Sequence, residues 1–216
     1  MIIKKLIGRI IDSLLQENSQ KRIQTTPKEE IIKFIHKVHP ILTDKALIRL
    51  GPEYDGGYLV PDDLDDIEAC IAPGVYNISD FEYECAEKGM KLFLADKSID
   101  KPEINLEEEK YDFLSKFIGA SDSEDFITMD TWINSCKIST QGDLLLQMDI
   151  EGWEYFALLN ISNFLLKRFR IIVIEFHNLD KLWNPSHFNL ANEVFNKLLQ
   201  THSCVHIHPN NDARIY

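Results

Sequence analysis

Apolar residues form short unbroken runs through the middle of this chain and fall at helical spacing near its two ends. Residues 67–72, 91–95, 113–120, 144–147 and 170–176 are runs of strand length with few internal charges, the pattern of strands buried on both faces of a parallel sheet. Residues 47–50 and 58–60 flank Asp55-Gly56-Gly57, a turn sequence that predicts a hairpin. Ser79-Asp80-Phe81-Glu82 has the form of a capping box; it predicts a helix with Phe81 and Cys85 on one face, closed by Gly89. Phe188, Ala191, Val194, Phe195, Leu198 and Leu199 mark an amphipathic helix, and residues 203–208 read as a last strand. Asp100 to Lys110 is acidic and reads as an exposed loop or ragged helix, while the type of element at Asp130-Thr131-Trp132-Ile133 is left open. Strands alternating with helices predict an α/β fold, a doubly wound and mostly parallel sheet, over residues 45–216.

Residues 1–44 read as a helical extension of that domain. Ile3, Ile7, Ile10 and Leu14 share one helical face with Lys4, Lys5 and Arg9 among them, a pattern that suits peripheral contact with an anionic membrane surface or packing on the protein itself. Thr26-Pro27-Lys28-Glu29 is a second capping box with proline at the first helical position, and its helix must end before Pro40.

Composition narrows the partners. With 35 acidic against 23 basic residues the net charge is −12, so the field opposes nucleic acid. The four cysteines are far apart and form no Cys-x-x-Cys pair, which counts against a zinc ribbon and a disulfide scaffold and fits a reduced cytoplasmic setting. No apolar run reaches the roughly 18 residues of a membrane span.

The chemistry concentrates at two strand ends. Asp149, Glu151 and Glu154 follow the run at 144–147 within six positions, and acids at the carboxyl edge of a parallel sheet stand where such folds bind ligands. The plain alternative is a solvated strand-to-helix turn. Gly74 follows the run at 67–72, and Asp96 lies 22 residues further on, near the roughly 20-residue spacing at which an acid meets a ribose. Only one glycine is present in Ala72-Pro73-Gly74-Val75-Tyr76-Asn77, which disfavours a pyrophosphate cofactor. His177, at the end of the run at 170–176, is placed to act as a general base, or as a histidine satisfied by neighbouring carbonyls. Asp149, Glu175, His177 and Asn178 could instead hold a magnesium-like divalent metal. His206 and His208 alternate on the last run and would face opposite ways.

Arg49-Leu50-Gly51-Pro52, Asp55-Gly56-Gly57-Tyr58, Asp149-Ile150-Glu151-Gly152-Trp153-Glu154, Ile174-Glu175-Phe176-His177 and His206-Ile207-His208-Pro209-Asn210-Asn211 resemble the FkbM-type branch of the class I S-adenosylmethionine-dependent methyltransferases. The resemblance implies a Rossmann-like, seven-stranded sheet and methyl transfer from S-adenosylmethionine to a hydroxyl of a sugar, glycan or related small-molecule precursor. By position it places Gly74 and Asn77 at the methionine part of the cofactor, Asp96 at the ribose and Ser121 and Asp122 at the adenine edge. It places Asp149 at the reaction centre, with His177 and Glu151 beside it. Such proteins continue past the His-x-Asn-Asn element into a final strand, whereas this chain stops at Tyr216; either the sequence is a fragment, or a partner or the N-terminal helix covers the sheet edge that a shortened strand would leave. Two other readings share the fold: a degenerate member that binds without turnover, and a nucleotide-dependent oxidoreductase, which the single glycine disfavours.

Overall fold

The computed structural model describes residues 25–75 and 79–209. Five parallel strands lie side by side in the order β5 (Tyr111–Leu114), β4 (Lys91–Ala95), β3 (Ala69–Pro73), β8 (Leu144–Met148) and β9 (Phe169–Ile174). Every residue of β3 and β8 is buried, as their mostly apolar sequences require, with Gln147 the one polar side chain among them. The order turns back at β3: the chain moves outward to β4 and β5, then returns to place β8 on the other side of β3.

Period-two alternation divides the side chains between two cores. Ala69, Ile71, Phe93, Ala95, Leu144, Leu146 and Met148 enter one with α1 (Lys28–Lys37), α3 (Met129–Ser135), α4 (Glu154–Asn160), α5 (Asn163–Leu166) and α6 (Pro185–Leu198). Cys70, Ala72, Leu92, Leu94 and Leu145 enter the other, under α2 (Asp80–Glu87) and the antiparallel hairpin of β1 (Leu47–Leu50) and β2 (Tyr58–Pro61). Helix α1 is built into the first core, its Phe34 set edge-on to Phe188 and Phe195 of α6.

The pairing of β8 with β9 contains one irregularity. Leu144 faces Phe169 but Leu145 faces Ile171, so Arg170 is an extra residue, a β-bulge. Its guanidinium grips the Asp143 carboxylate from Nε at 2.8 Å and the carbonyl of Asp65 from Nη1 at 2.6 Å. Phe169 consequently lies in one core and Ile171, two residues on, in the other.

Several expectations change. Among the described residues the main sheet has five strands rather than seven; β6 (Phe117–Ile118) and β7 (Phe126–Ile127) form a separate two-stranded pair, and the run expected at 113–120 is split between β5 and β6. Residues 203–208 are not a strand. Their alternation is present, but among the described residues no ladder forms, and the backbone contact there is a bond from the Ile41 N–H to the Cys204 carbonyl at 2.9 Å. Neither expected capping hydroxyl caps: those of Thr26 and Ser79 are buried without a hydrogen-bond partner among the described residues. Ser79 has ψ 26°, short of the extended backbone that aims a hydroxyl at the first turn, whereas Thr128, Ser162 and Asn184 have it and cap α3, α5 and α6. The open segment at 130–133 is helix α3. The basic helix read at 1–15 lies outside the described residues.

Candidate functional site

The exits of β3, β8 and β9 are stitched together beyond the strands themselves. The Asp149 N–H donates to the Pro73 carbonyl at 3.2 Å and the Glu175 N–H to that of Met148 at 2.9 Å. Gly74 has φ 89°, and a Cβ there would stand 1.6 Å from the Asp149 carbonyl oxygen. Its missing side chain lets the end of β3 lie against the start of the acidic loop, a close approach of backbone to backbone.

The acidic loop folds back on one buried carboxylate. Glu154, in the first turn of α4, has no solvent exposure. Its Oε1 accepts the N–H groups of Ile150 at 3.1 Å and Gly152 at 3.0 Å, and stands 3.1 Å from Nδ1 of His177. The loop needs unusual backbone to do this: Glu151 has φ 55° and Gly152 φ 99°, and a Cβ on Gly152 would come within 2.9 Å of Nδ2 of Asn178. Asn178 itself has φ 62°, so left-handed non-glycine residues flank the site on both strands. The buried Tyr155 hydroxyl donates to the His177 carbonyl at 2.6 Å and fixes the second loop to α4.

This framework brings His177, Asp149 and Glu151 together, as expected for neighbouring parallel strands. Nε2 of His177 is 3.8 Å from Oδ1 of Asp149 and 3.5 Å from Oε2 of Glu151. Burial pushes the Asp149 carboxyl up to about 7; Glu175 adds to the shift and His177 opposes it. For His177 burial works against the imidazolium, but Glu154, Asp149 and Glu151 together outweigh it and hold the ring above the usual histidine range. Tyr58 of β2 belongs to the same neighbourhood: burial first, then Asp149 and Glu175, keep its phenol protonated well above the ordinary tyrosine range. The sequence reading assigned no role to Tyr58 and counted Glu154 only among three acids at the ligand-binding edge, not as the buried carboxylate behind the imidazole. Glu154 lay within the acidic triplet, and its signal was its place in the first turn of a helix two residues past a glycine.

The other expected residues lie along the same edge. Pro73 pairs with Ala95, so Asp96 is set directly across from Gly74 at the end of β4. Asp96 is buried, and its Oδ1 accepts the N–H and hydroxyl of Ser98, both at 2.7 Å. Ser121 and Asp122 are exposed on the loop after β6. Asp122 is occupied locally: it accepts the Thr128 N–H and the Thr131 hydroxyl, both at 2.7 Å, which lower its proton affinity. An ion pair of Lys97 with Asp125 at 2.8 Å ties that loop to the one carrying Asp96. Asn77 lies outside the described residues.

The metal-ligand set differs from expectation. The ligand atoms that converge are those of Asp149, Glu151 and His177, all within 4.8 Å of one another. Asn178 is turned to Lys181, whose Nζ donates to its Oδ1 at 2.6 Å. His206 and His208 do not face opposite ways: with no strand to alternate them, their rings stack, centroids 6.2 Å apart and planes 10° from parallel.

Fold and site thus define an α/β domain with a histidine and acids gathered at the carboxyl edge of a parallel sheet, where its strand order turns back. Comparison with protein-family models, with curated proteins and with solved structures finds no match to this chain. Among the described residues no helix is long and apolar enough to cross a membrane.

Proposed function

We propose that this chain is a class I, FkbM-type S-adenosylmethionine-dependent O-methyltransferase that modifies a hydroxyl of a sugar, glycan or related precursor. One observation carries the reading: the His177, Asp149 and Glu151 group stands at the ends of β8 and β9, beside the exit of β3, with Asp96 at the end of β4 on that strand's other side. Open α/β sheets bind ligands in the crevice where strand order reverses, and here that crevice lies between β3 and β8. A cofactor along the exits of β3 and β4 would present its ribose to Asp96 and its methyl group toward Asp149.

The reaction forms a bond between the acceptor oxygen and the methyl carbon while the carbon–sulfur bond breaks. The electron pair goes to sulfur, leaving S-adenosylhomocysteine, and the acceptor proton must leave. A hydroxyl is a weak nucleophile, so catalysis needs in-line positioning and a group that weakens the O–H bond. Asp149 and His177 supply that group, with Glu151 and the phenol of Tyr58 at its margin. The surrounding acids also suit a cofactor that carries positive charge at sulfur.

Calorimetric titration with S-adenosylhomocysteine tests the proposal. Binding is expected, and Asp96→Ala is expected to weaken it by roughly 1.5 to 3 kcal/mol, the scale of a hydrogen bond to a charged group. No binding of S-adenosylhomocysteine, with binding of a nicotinamide dinucleotide instead, would overturn the reading in favour of an oxidoreductase.

A further inference from the structure

We infer that Asp149, Glu151 and His177 form a binding site for a single divalent cation of the Mn2+ or Mg2+ type, with Glu154 as the buried carboxylate that orients the imidazole toward it.

Geometry is the first support. Nε2 of His177 faces Oδ1 of Asp149 at 3.8 Å and Oε2 of Glu151 at 3.5 Å, and the three ligand atoms lie within 4.8 Å of one another. Ligands held about 2.1 Å from an octahedral ion stand about 3 Å apart at right angles, so the two distances from His177 would close by less than an ångström and the third by no more than about 1.8 Å to surround an ion. The three would occupy one side of the ion and leave positions open for water or an acceptor hydroxyl. Two carboxylates with one imidazole suit Mn2+ better than a soft, thiolate-seeking ion.

A second support lies outside the triad. A histidine that binds metal through one nitrogen needs the other held by an acceptor, which fixes the tautomer and strengthens the ligand. Glu154 does this for Nδ1 at 3.1 Å from a position with no solvent exposure, leaving Nε2 directed at Asp149 and Glu151, where a bound ion would take the place of its proton. A third support is an orphan. Oδ1 of Asp149, the oxygen that faces Nε2, is shut off from solvent and has no hydrogen-bond partner among the described residues. Asp149, Glu151 and Glu154 also form no ion pair with a lysine or arginine among those residues. A cation would give that oxygen its partner and the three carboxylates their countercharge.

The use of the ion rests on the methyltransferase reading: bound to the acceptor hydroxyl, it would stabilise the charge that develops on oxygen as the proton departs. The site itself does not depend on that reading. The full-length protein, freed of metal with a chelator, would be titrated with Mn2+ and the unbound ion followed by electron paramagnetic resonance. One ion per chain is expected. Glu151→Gln, at a side chain 87 % exposed and outside the packed core, is expected to weaken binding by at least about tenfold, and Glu154→Gln by a similar factor. His177→Ala should abolish it, with circular dichroism confirming that the variant is folded. Absence of a bound ion, or an affinity that Glu151→Gln and His177→Ala leave unchanged, would overturn the inference. S-adenosylhomocysteine binding measured in chelator is the separate readout of the methyltransferase reading, so each can fail alone.

Discussion

Nδ1 of His177 and Oε1 of Glu154 stand 3.1 Å apart, and that one oxygen also receives the backbone N–H groups of Ile150 and Gly152. A single buried carboxylate therefore shapes the acidic loop and aims the imidazole. Glu154→Gln keeps an acceptor for the two N–H groups but removes the negative charge beside the ring. The His177 pKa should fall, read by NMR titration of the ring protons, and an unchanged value would mean that Asp149 and Glu151 alone hold it up. Glu154→Ala should cost roughly 3 kcal/mol or more in urea unfolding, since it strands two backbone donors and opens a cavity.

His177→Ala should lower turnover by on the order of a hundredfold or more while barely changing the dissociation constant of S-adenosylhomocysteine. The separation follows from position: His177 leaves β9, and two strands, β8 and β3, lie between it and the Asp96 end of β4. Equal loss in both measurements would place the imidazole against the cofactor.

Gly74→Ala should destabilise the domain by several kcal/mol, seen as a large drop in melting temperature. The added Cβ meets the Asp149 carbonyl at 1.6 Å, a backbone atom that cannot yield without breaking the bond from the Asp149 N–H to Pro73. A variant as stable as the parent would show that the two strand exits part readily.

Glu82 sets a pH dependence far from the histidine. It is buried near the start of α2, where burial raises its carboxyl to about 7, aided by Asp80 and opposed by its own backbone N–H. Because the folded-state value lies above the unfolded one, its contribution is intact below about pH 4.5 and is lost as pH rises toward 7. Glu82→Gln should therefore stabilise the protein at pH 8 by on the order of 2 to 3 kcal/mol and have little effect at pH 4. Equal effects at both pH values would rule out titration as the cause.

The central strands were legible because a parallel strand buried on both faces has to be written mostly in apolar residues, and β3, β4 and β8 are, apart from the exposed Lys91 and the buried Gln147. Asp149 and His177 could be paired in advance because neighbouring strands joined by a helix deliver their ends to the same edge. What stayed hidden depends on partners that no local pattern encodes. Residues 203–208 alternate like a strand, yet a strand exists only where another backbone accepts its bonds. Glu154 reads as one more acid at the ligand-binding edge; only the fold reveals two amides and an imidazole converging on it. Thr26 and Ser79 have the right spelling for caps, but α1 begins one residue later with Pro27 in the cap position, and Ser79 lacks the extended backbone that capping requires.

The bulge at Arg170 acts as a phase shifter. A strand presents alternate residues to opposite faces, so one extra residue inverts the parity of everything after it. From Ile171 to Glu175 each side chain points to the face its neighbour would otherwise have held, and Ile171 and Val173 pack beneath the hairpin because of it. Arg170 sits at the opposite end of β9 from the imidazole, about 16 Å of extended chain before Glu175. Removing that one residue would leave the composition of the strand almost untouched while reversing its two faces, sending Glu175 to the wrong side of the sheet and dissolving the acid–histidine group without altering any member of it.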